Sequence, residues 1–526
     1  MLQQLKLLSI TSIILLTIYF LFNSDAALVT GRLLGWSRDS IVYAREHDSI
    51  TLDPALAQEE ESYKVISNIF EGLVRYKAGS LEIEPCLAEA WRVSSDGLVW
   101  TFYLRRNVLF HDGTPFNAEA VRYSIERQMS SSSTTTTGYA GFVFGIIDQI
   151  QCPDPYTVKF LLKYPYAPFI NNLAMPAAAP IVSPSAALNL GDVFGEHPVG
   201  TGPFRFDSWE KNKKIVLKAN PDYWDEKPAY NELVFKVVNN SRLRAIALKL
   251  GQVDLIDGLT PADIQLLKDT NCQIHKNNGL DLSYLGFYTD KKPFDNPEVR
   301  KAISMAIDRT QINSELLMGA SIEANGPLPP GVFSYPPDTK NVPYDPTGAK
   351  ELLAKNGYSS GMQITLITYK GDRPYNPAGG EKLASAIKGD LAAIGVNCEI
   401  KAYDWQQYKE ALLNSEGNAF LYGWISDNGD PDNFLYTLLA SNQIENGLNT
   451  SHYNNKEVDQ LLIKAQRELD KNLRAQLYER AVGLIIEDAP WVFLNHSLKL
   501  AATTPDLQGF YLFPNGITQL ALLKKK

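Results

Sequence analysis

GMQITLITYKGDRPYNPAGGEKLASAIKGDLAAIGVNCEIKAYDWQQYKEALLNSEGNAFLYGW, residues 361–424, switches between two hydrophobic periods. Met362 to Tyr369 is β-rich, and Leu383, Ile387, Leu391 and Ile394 fall on one helical face. Val396, Cys398, Ile400 and Ala402 alternate as a half-buried strand, Trp405 to Leu413 reads as helix, and Ala419 to Trp424 reads as a short buried strand. Strands separated by crossover helices run parallel and connect right-handedly. The loops leaving their C-terminal ends then open on one edge of the sheet, where α/β proteins bind ligands. Three such loops follow one another: Lys370 to Pro377, Asp404 with Trp405, and the loop that opens with Asp427. Strand order alone therefore brings Arg373, Tyr375, Trp405 and Asp427 to one rim.

Such a rim suits a ligand carrying both charges. A guanidinium matches a carboxylate in bidentate fashion, a carboxylate accepts hydrogen bonds from an ammonium, and aromatic walls exclude water. The same residues also fit a plainer reading, in which Arg373 and Asp427 are solvated loop charges or pair with each other. Asp430 and Asp432 read as structural: Asp430-Pro431 opens a turn, and Asp432 or Asn433 caps a helix beginning at Phe434. A calcium loop fails on spacing, since it would need ligands at 429 and 431, which are Gly and Pro.

Upstream, Asp39 to Arg45 reads as a strand, Ser62 to Leu73 as a helix, and residues 87–105 as a hairpin turning at Asp96-Gly97. Ser130 to Thr137, four serines and four threonines, reads as a solvated loop. Strands follow at Tyr156 to Leu162 and Lys214 to Lys218. The 526 residues are too many for one ordinary core and imply two or three domains. A net charge of −9 argues against nucleic acid and anionic membrane as partners. Lys6, the apolar run Leu7 to Phe22 and small Ala26-Ala27 have the layout of a secretory signal over residues 1–27, or of an uncleaved anchor. The widely spaced Cys86, Cys152, Cys272 and Cys398 form either disulfides or buried thiols, and their spacing is wrong for zinc. Metalloprotease, nucleophile-elbow and phosphate-loop motifs are absent, and the six histidines are scattered without ligand spacing. A secreted hydrolase with paired carboxylates is the alternative from another class.

Over residues 39 to 515 the chain resembles the bacterial extracellular solute-binding proteins of family 5, the peptide- and nickel-binding receptors of ABC importers. The resemblance rests on Leu52-Asp-Pro54, Ile69-Phe-Glu-Gly-Leu73, Pro85-Cys-Leu-Ala-Glu-Ala-Trp91, His111-Asp-Gly-Thr-Pro-Phe116 and Gly200-Thr-Gly-Pro-Phe204. Further markers are Pro293-Phe-Asp-Asn-Pro-Glu-Val-Arg-Lys-Ala302 and Ala306-Ile-Asp-Arg309. Arg373-Pro-Tyr-Asn-Pro377 and Gly423-Trp-Ile-Ser-Asp-Asn-Gly-Asp-Pro-Asp-Asn-Phe434 are most similar to the family's dipeptide receptors. The resemblance implies an α/β fold of the type II periplasmic-binding kind: two lobes on a two-segment hinge, with an extra subdomain on lobe one. Lobe one is expected over residues 37–285 plus 500–526, and lobe two over 286–499. It also implies that Asp427 binds a peptide's α-ammonium, Arg373 its carboxylate, and Trp405 packs against the ligand, with Tyr375 and Trp424 beside them. The implied protein is a monomeric periplasmic receptor without cofactor or metal that delivers dipeptides to a membrane permease. Oligopeptide, nickel chelate and haem are the alternatives on the same scaffold. Cysteines that pair in dipeptide receptors have no counterparts near the matching places, so no disulfide carries over.

Overall fold

The computed structural model describes residues 39–132, 143–176, 178–517 and 519–526. The N-terminal segment 1–27 and most of the Ser/Thr run lie outside them; Ser130 to Ser132 close the helix Ala118–Ser132.

A sheet of twelve strands organises the described chain. Its order is Val396–Tyr403, Met362–Tyr369, Ala419–Ile425, Asp281–Phe287, Trp491–Thr503, Leu255–Asp257, Ser40–Arg45, Glu232–Val237, Lys214–Ala219 and Phe204–Glu210. Gln273–Asn278 and Ser321–Glu323 branch from the Trp491–Thr503 strand. The two hydrophobic periods of 361–424 appear as expected: the Val396–Tyr403 and Ala419–Ile425 strands both pair parallel with Met362–Tyr369.

The sheet is continuous, but the core is not. Leu282, Tyr284, Leu366, Leu421 and the Trp491–Leu494 stretch bury together as the core of lobe two. Val42, Ile256, Leu500 and Ala502 belong to another core, in lobe one. The 13-residue strand Trp491–Thr503 thus leaves one lobe and enters the other, and the chain crosses a second time between Asn278 and Asp281. The two crossings are tied to each other. The buried Asp281 carboxylate accepts from Ser497 N at 2.7 Å and from the Ser497 hydroxyl, while Gly279 N donates to Ser497 O at 2.8 Å. A side chain at 279 would put its Cβ 2.6 Å from Asp281 Oδ2, so glycine is what lets the strands approach.

A four-stranded antiparallel sheet, in the order Ala88–Val93, Val99–Leu104, Thr157–Leu162, Ile147–Asp154, builds the subdomain on lobe one. Its hairpin turns at Gly97, which adopts φ +72°. Trp100, Phe102, Phe160 and Phe169 fill its core in edge-to-face contacts.

One helix starts earlier than its sequence implies. The helix expected from Phe434 runs over Pro431–Leu439, with Asp430 rather than Asp432 or Asn433 as its cap. Asp430 accepts from Asp432 N at 2.9 Å, and Pro431 takes the first helical position, where its missing N–H costs nothing. All four cysteines are free thiols, with Cys86 and Cys398 buried.

Candidate functional site

Met362–Tyr369 and Val396–Tyr403 pair in register along their whole length, from Met362 against Val396 to Tyr369 against Tyr403. Their following loops, and the loop after Ala419–Ile425, therefore open at the same end of the sheet. After Tyr369 the chain makes a tight turn, closed by Arg373 N to Asn376 O at 3.1 Å and Asn376 N to Arg373 O at 2.8 Å.

The turn presents Arg373 against aromatic rings. Its guanidinium lies 3.6 Å from the centroid of Trp405 and 5.8 Å from that of Tyr369. Trp405, at the first position of the helix Trp405–Leu413, stacks in turn on Tyr422 with 6.2 Å between centroids and 23° between planes. Among the described residues the buried Arg373 Nε has no hydrogen-bond partner.

Tyr375 sits beneath this surface rather than on it. It is buried, and its ring crosses Gly423 so closely that a Cβ there would stand 2.3 Å from Tyr375 Cδ2. Asn495 Nδ2 donates to Tyr375 O at 3.1 Å and Asn376 Nδ2 donates to Tyr369 Oη at 2.9 Å, which fastens the turn to lobe two. Burial pushes the Tyr375 phenol well above the usual range. Gly423→Ala is expected to cost about 1–3 kcal/mol through overpacking, with part recovered in Gly423→Ala/Tyr375→Leu. A denaturant midpoint unchanged by Gly423→Ala would show that the ring shifts freely.

Trp424 is half-buried and donates from Nε1 to Asn433 Oδ1 at 2.8 Å, so it braces the start of the Pro431–Leu439 helix. Asp427 is half-buried on the intervening loop, and its charge is felt in lobe one. Tyr63 is pushed above the usual phenol range, first by burial and next by Asp427; Tyr76 is pushed up by burial, then Asp430, then Asp427.

The other two aspartates of the loop are structural. Asp430 forms a buried bidentate pair with Arg474, at 2.8 and 2.6 Å. Asp432 accepts from Tyr166 Oη at 3.0 Å and Gln466 Nε2 at 3.1 Å, and burial together with Asp430 pushes its carboxyl up to about 7.

The structure thus places Arg373, Trp405 and Tyr375 in one cluster and Asp427 on the loop facing Tyr63 and Tyr76. Sequence reasoning missed Tyr369 and Tyr422, which complete the aromatic bed. Period-two alternation along Ala419–Ile425 was the available signal, since it sets 420, 422 and 424 on one face.

Residues 82–446 match the family model described as bacterial extracellular solute-binding proteins, family 5 middle. The chain is similar to heme-binding protein A of Haemophilus influenzae, with 35% identity over 501 residues, 91% of each chain. It is also similar to the dipeptide-binding protein of Escherichia coli, with 32% identity over 498 residues, 91% of this chain and 93% of that one. Among solved structures, HbpA2 from Haemophilus parasuis superposes with a TM-score of 0.87 at 32% identity, covering 93% of this chain and 100% of that one. Sequence, lobes and sheet edge lead to one assignment: the chain belongs to the family 5 extracellular solute-binding proteins, substrate-binding receptors of ABC importers of peptide, dipeptide or heme type, and is not an enzyme.

Proposed function

We propose that this receptor captures dipeptides, and similarly short zwitterions, between its lobes and hands them to a membrane permease from the periplasm. The observation that carries the reading is that Arg373 and Asp427, of opposite charge, lie on loops that open at one sheet edge. Arg373 is half-buried and stacked on Trp405 in lobe two, and the charge of Asp427 acts on Tyr63 and Tyr76 of lobe one. The guanidinium would hold the peptide's carboxylate and Asp427 its ammonium, while Trp405 gives both contacts a dry wall. Trp405 has a second task in this reading, as the surface that aims Arg373. Tyr375 and Trp424 act from behind, the one as floor of the Arg373 turn and the other as brace of the Asp427 loop. Ligand affinity that is greater for the closed arrangement of lobes would drive closure about the Asp281–Ser497 crossing. The receptor works as a monomer, exported by its N-terminal segment.

A heme ligand is the second reading, favoured by the 35% identity to heme-binding protein A. Native mass spectrometry of protein purified without denaturation separates the two. Co-purified dipeptides, or saturation by an added dipeptide, support the proposal. A bound species with a Soret band and no uptake of dipeptide would replace it with the heme reading.

A further inference from the structure

The two charges of the clamp are anchored differently. The Arg373 turn is fastened wholly within lobe two, through Trp405, Tyr369 and Asn495. The Asp427 loop leaves a lobe-two strand, and Asn428 Oδ1 accepts from Asp430 N at 3.0 Å within that loop, but the carbonyl and side-chain NH2 of Asn428 are held by lobe one. The Asn428 carbonyl accepts from Tyr76 Oη at 3.0 Å and from Asn171 Nδ2 at 3.3 Å, and Asn428 Nδ2 donates to Asn172 Oδ1 at 2.8 Å. Asn172 is itself pinned by its Nδ2 to Val143 O at 3.0 Å. Gly429 sits so close to lobe one that a Cβ would stand 2.8 Å from Leu81 Cδ1. Further along the same seam, Tyr166 Oη donates to Asp432 and Ala167 N donates to Gln466 O at 2.8 Å.

We propose that Asn428 is a positioning residue that ties Asp427 to the lobe-one subdomain, so that the gap between Asp427 and Arg373 changes with lobe position. This rests on the reading of Asp427 and Arg373 as the two ends of a peptide clamp. Peptide length is then selected during lobe movement: only a backbone that spans the gap in the closed arrangement satisfies both charges. Neither Asn428 nor Asn172 needs to touch the ligand.

The seam contains a titratable member. Asp432 faces Tyr166 from lobe one, Gln466 from one helix, Arg474 and Tyr478 from the next, and Asp430 on its own loop. Arg474 is the cation shared by both carboxylates.

The experiment is calorimetric titration of wild type, Asn172→Ala, Asp427→Ala and the double variant with Ala-Phe, Ala-Ala-Phe and des-amino Ala-Phe. Asn172→Ala is expected to weaken Ala-Phe by about tenfold and to narrow the preference for Ala-Phe over Ala-Ala-Phe. It should leave the des-amino ligand unchanged and add nothing to Asp427→Ala. Because Asn172→Ala removes a buried partner, Tyr166→Phe gives an independent arm that keeps the packing. Tyr166→Phe, which removes the hydroxyl that donates to Asp432, is expected to weaken Ala-Phe and leave the des-amino ligand unchanged. Equal weakening of all three ligands, or additivity with Asp427→Ala, overturns the proposal. Wild type that binds no dipeptide ends the clamp reading and this inference with it; wild type that binds while the seam variants behave like wild type ends this inference alone.

Discussion

Replacing Arg474 with leucine is expected to cost about 3–5 kcal/mol of stability, the usual penalty for stripping one partner from a buried ion pair. Arg474 spends its guanidinium on buried acceptors: Asp430 at 2.8 and 2.6 Å, Ala465 O at 3.0 Å and Tyr478 Oη at 3.0 Å. Without it, Asp430 and Asp432 would be left as two carboxylates in the same buried pocket with no cation between them. Asp432, whose carboxyl burial and Asp430 already push up to about 7, would then hold its proton still more tightly in the folded state than in the unfolded chain. The sign follows from linkage: where the native state binds more protons, stability falls as pH rises. The deficit of Arg474→Leu should therefore be smaller at pH 5 than at pH 8, read as the shift in denaturant midpoint at each pH. A midpoint unmoved at pH 8 would mean that the two carboxylates are not enclosed as the structure has them.

Asp427→Ala has the largest effect expected on binding. Removing one member of a desolvated charge contact costs about 2–5 kcal/mol, so dipeptide affinity should fall at least tenfold. The loss should be confined to ligands with a free ammonium, and Arg373→Ala should show the mirror behaviour towards ligands with a free carboxylate. Trp405→Leu is the informative companion, since Arg373 lies 3.6 Å from that ring. Calorimetric titration checks the set, with circular dichroism confirming the fold. Unchanged affinity of Asp427→Ala for a zwitterionic dipeptide would sink the assignment of that end of the clamp.

The neighbouring aspartates behave as their chain position implies, with one difference. Asp430 and Asp432 are structural, but the capping task went to Asp430, because Pro431 is a good first helical residue and begins the helix three positions early. The rim was legible because strand order is a local property. Each strand and helix of 361–424 is written in its own periodicity, and parallel pairing then leaves the loops no other edge to open on. Tyr375 was placed correctly along the chain, but its burial was not legible: that depends on Gly423, 48 positions away in sequence and directly under its ring.

Taken alone, the chain's order of residues determined the α/β class, the parallel arrangement of 362–425 and the edge that carries Arg373, Trp405 and Asp427, since periodicity and loop placement are set by near neighbours. Only the tertiary structure decided that Arg373 lies on Trp405, that Asp281 and Ser497 bind the two crossings together, and that Asn428 is held by Tyr76, Asn171 and Asn172. Those contacts join residues that no shared period relates, and they exist only once separate cores have packed and brought their edges within hydrogen-bonding distance.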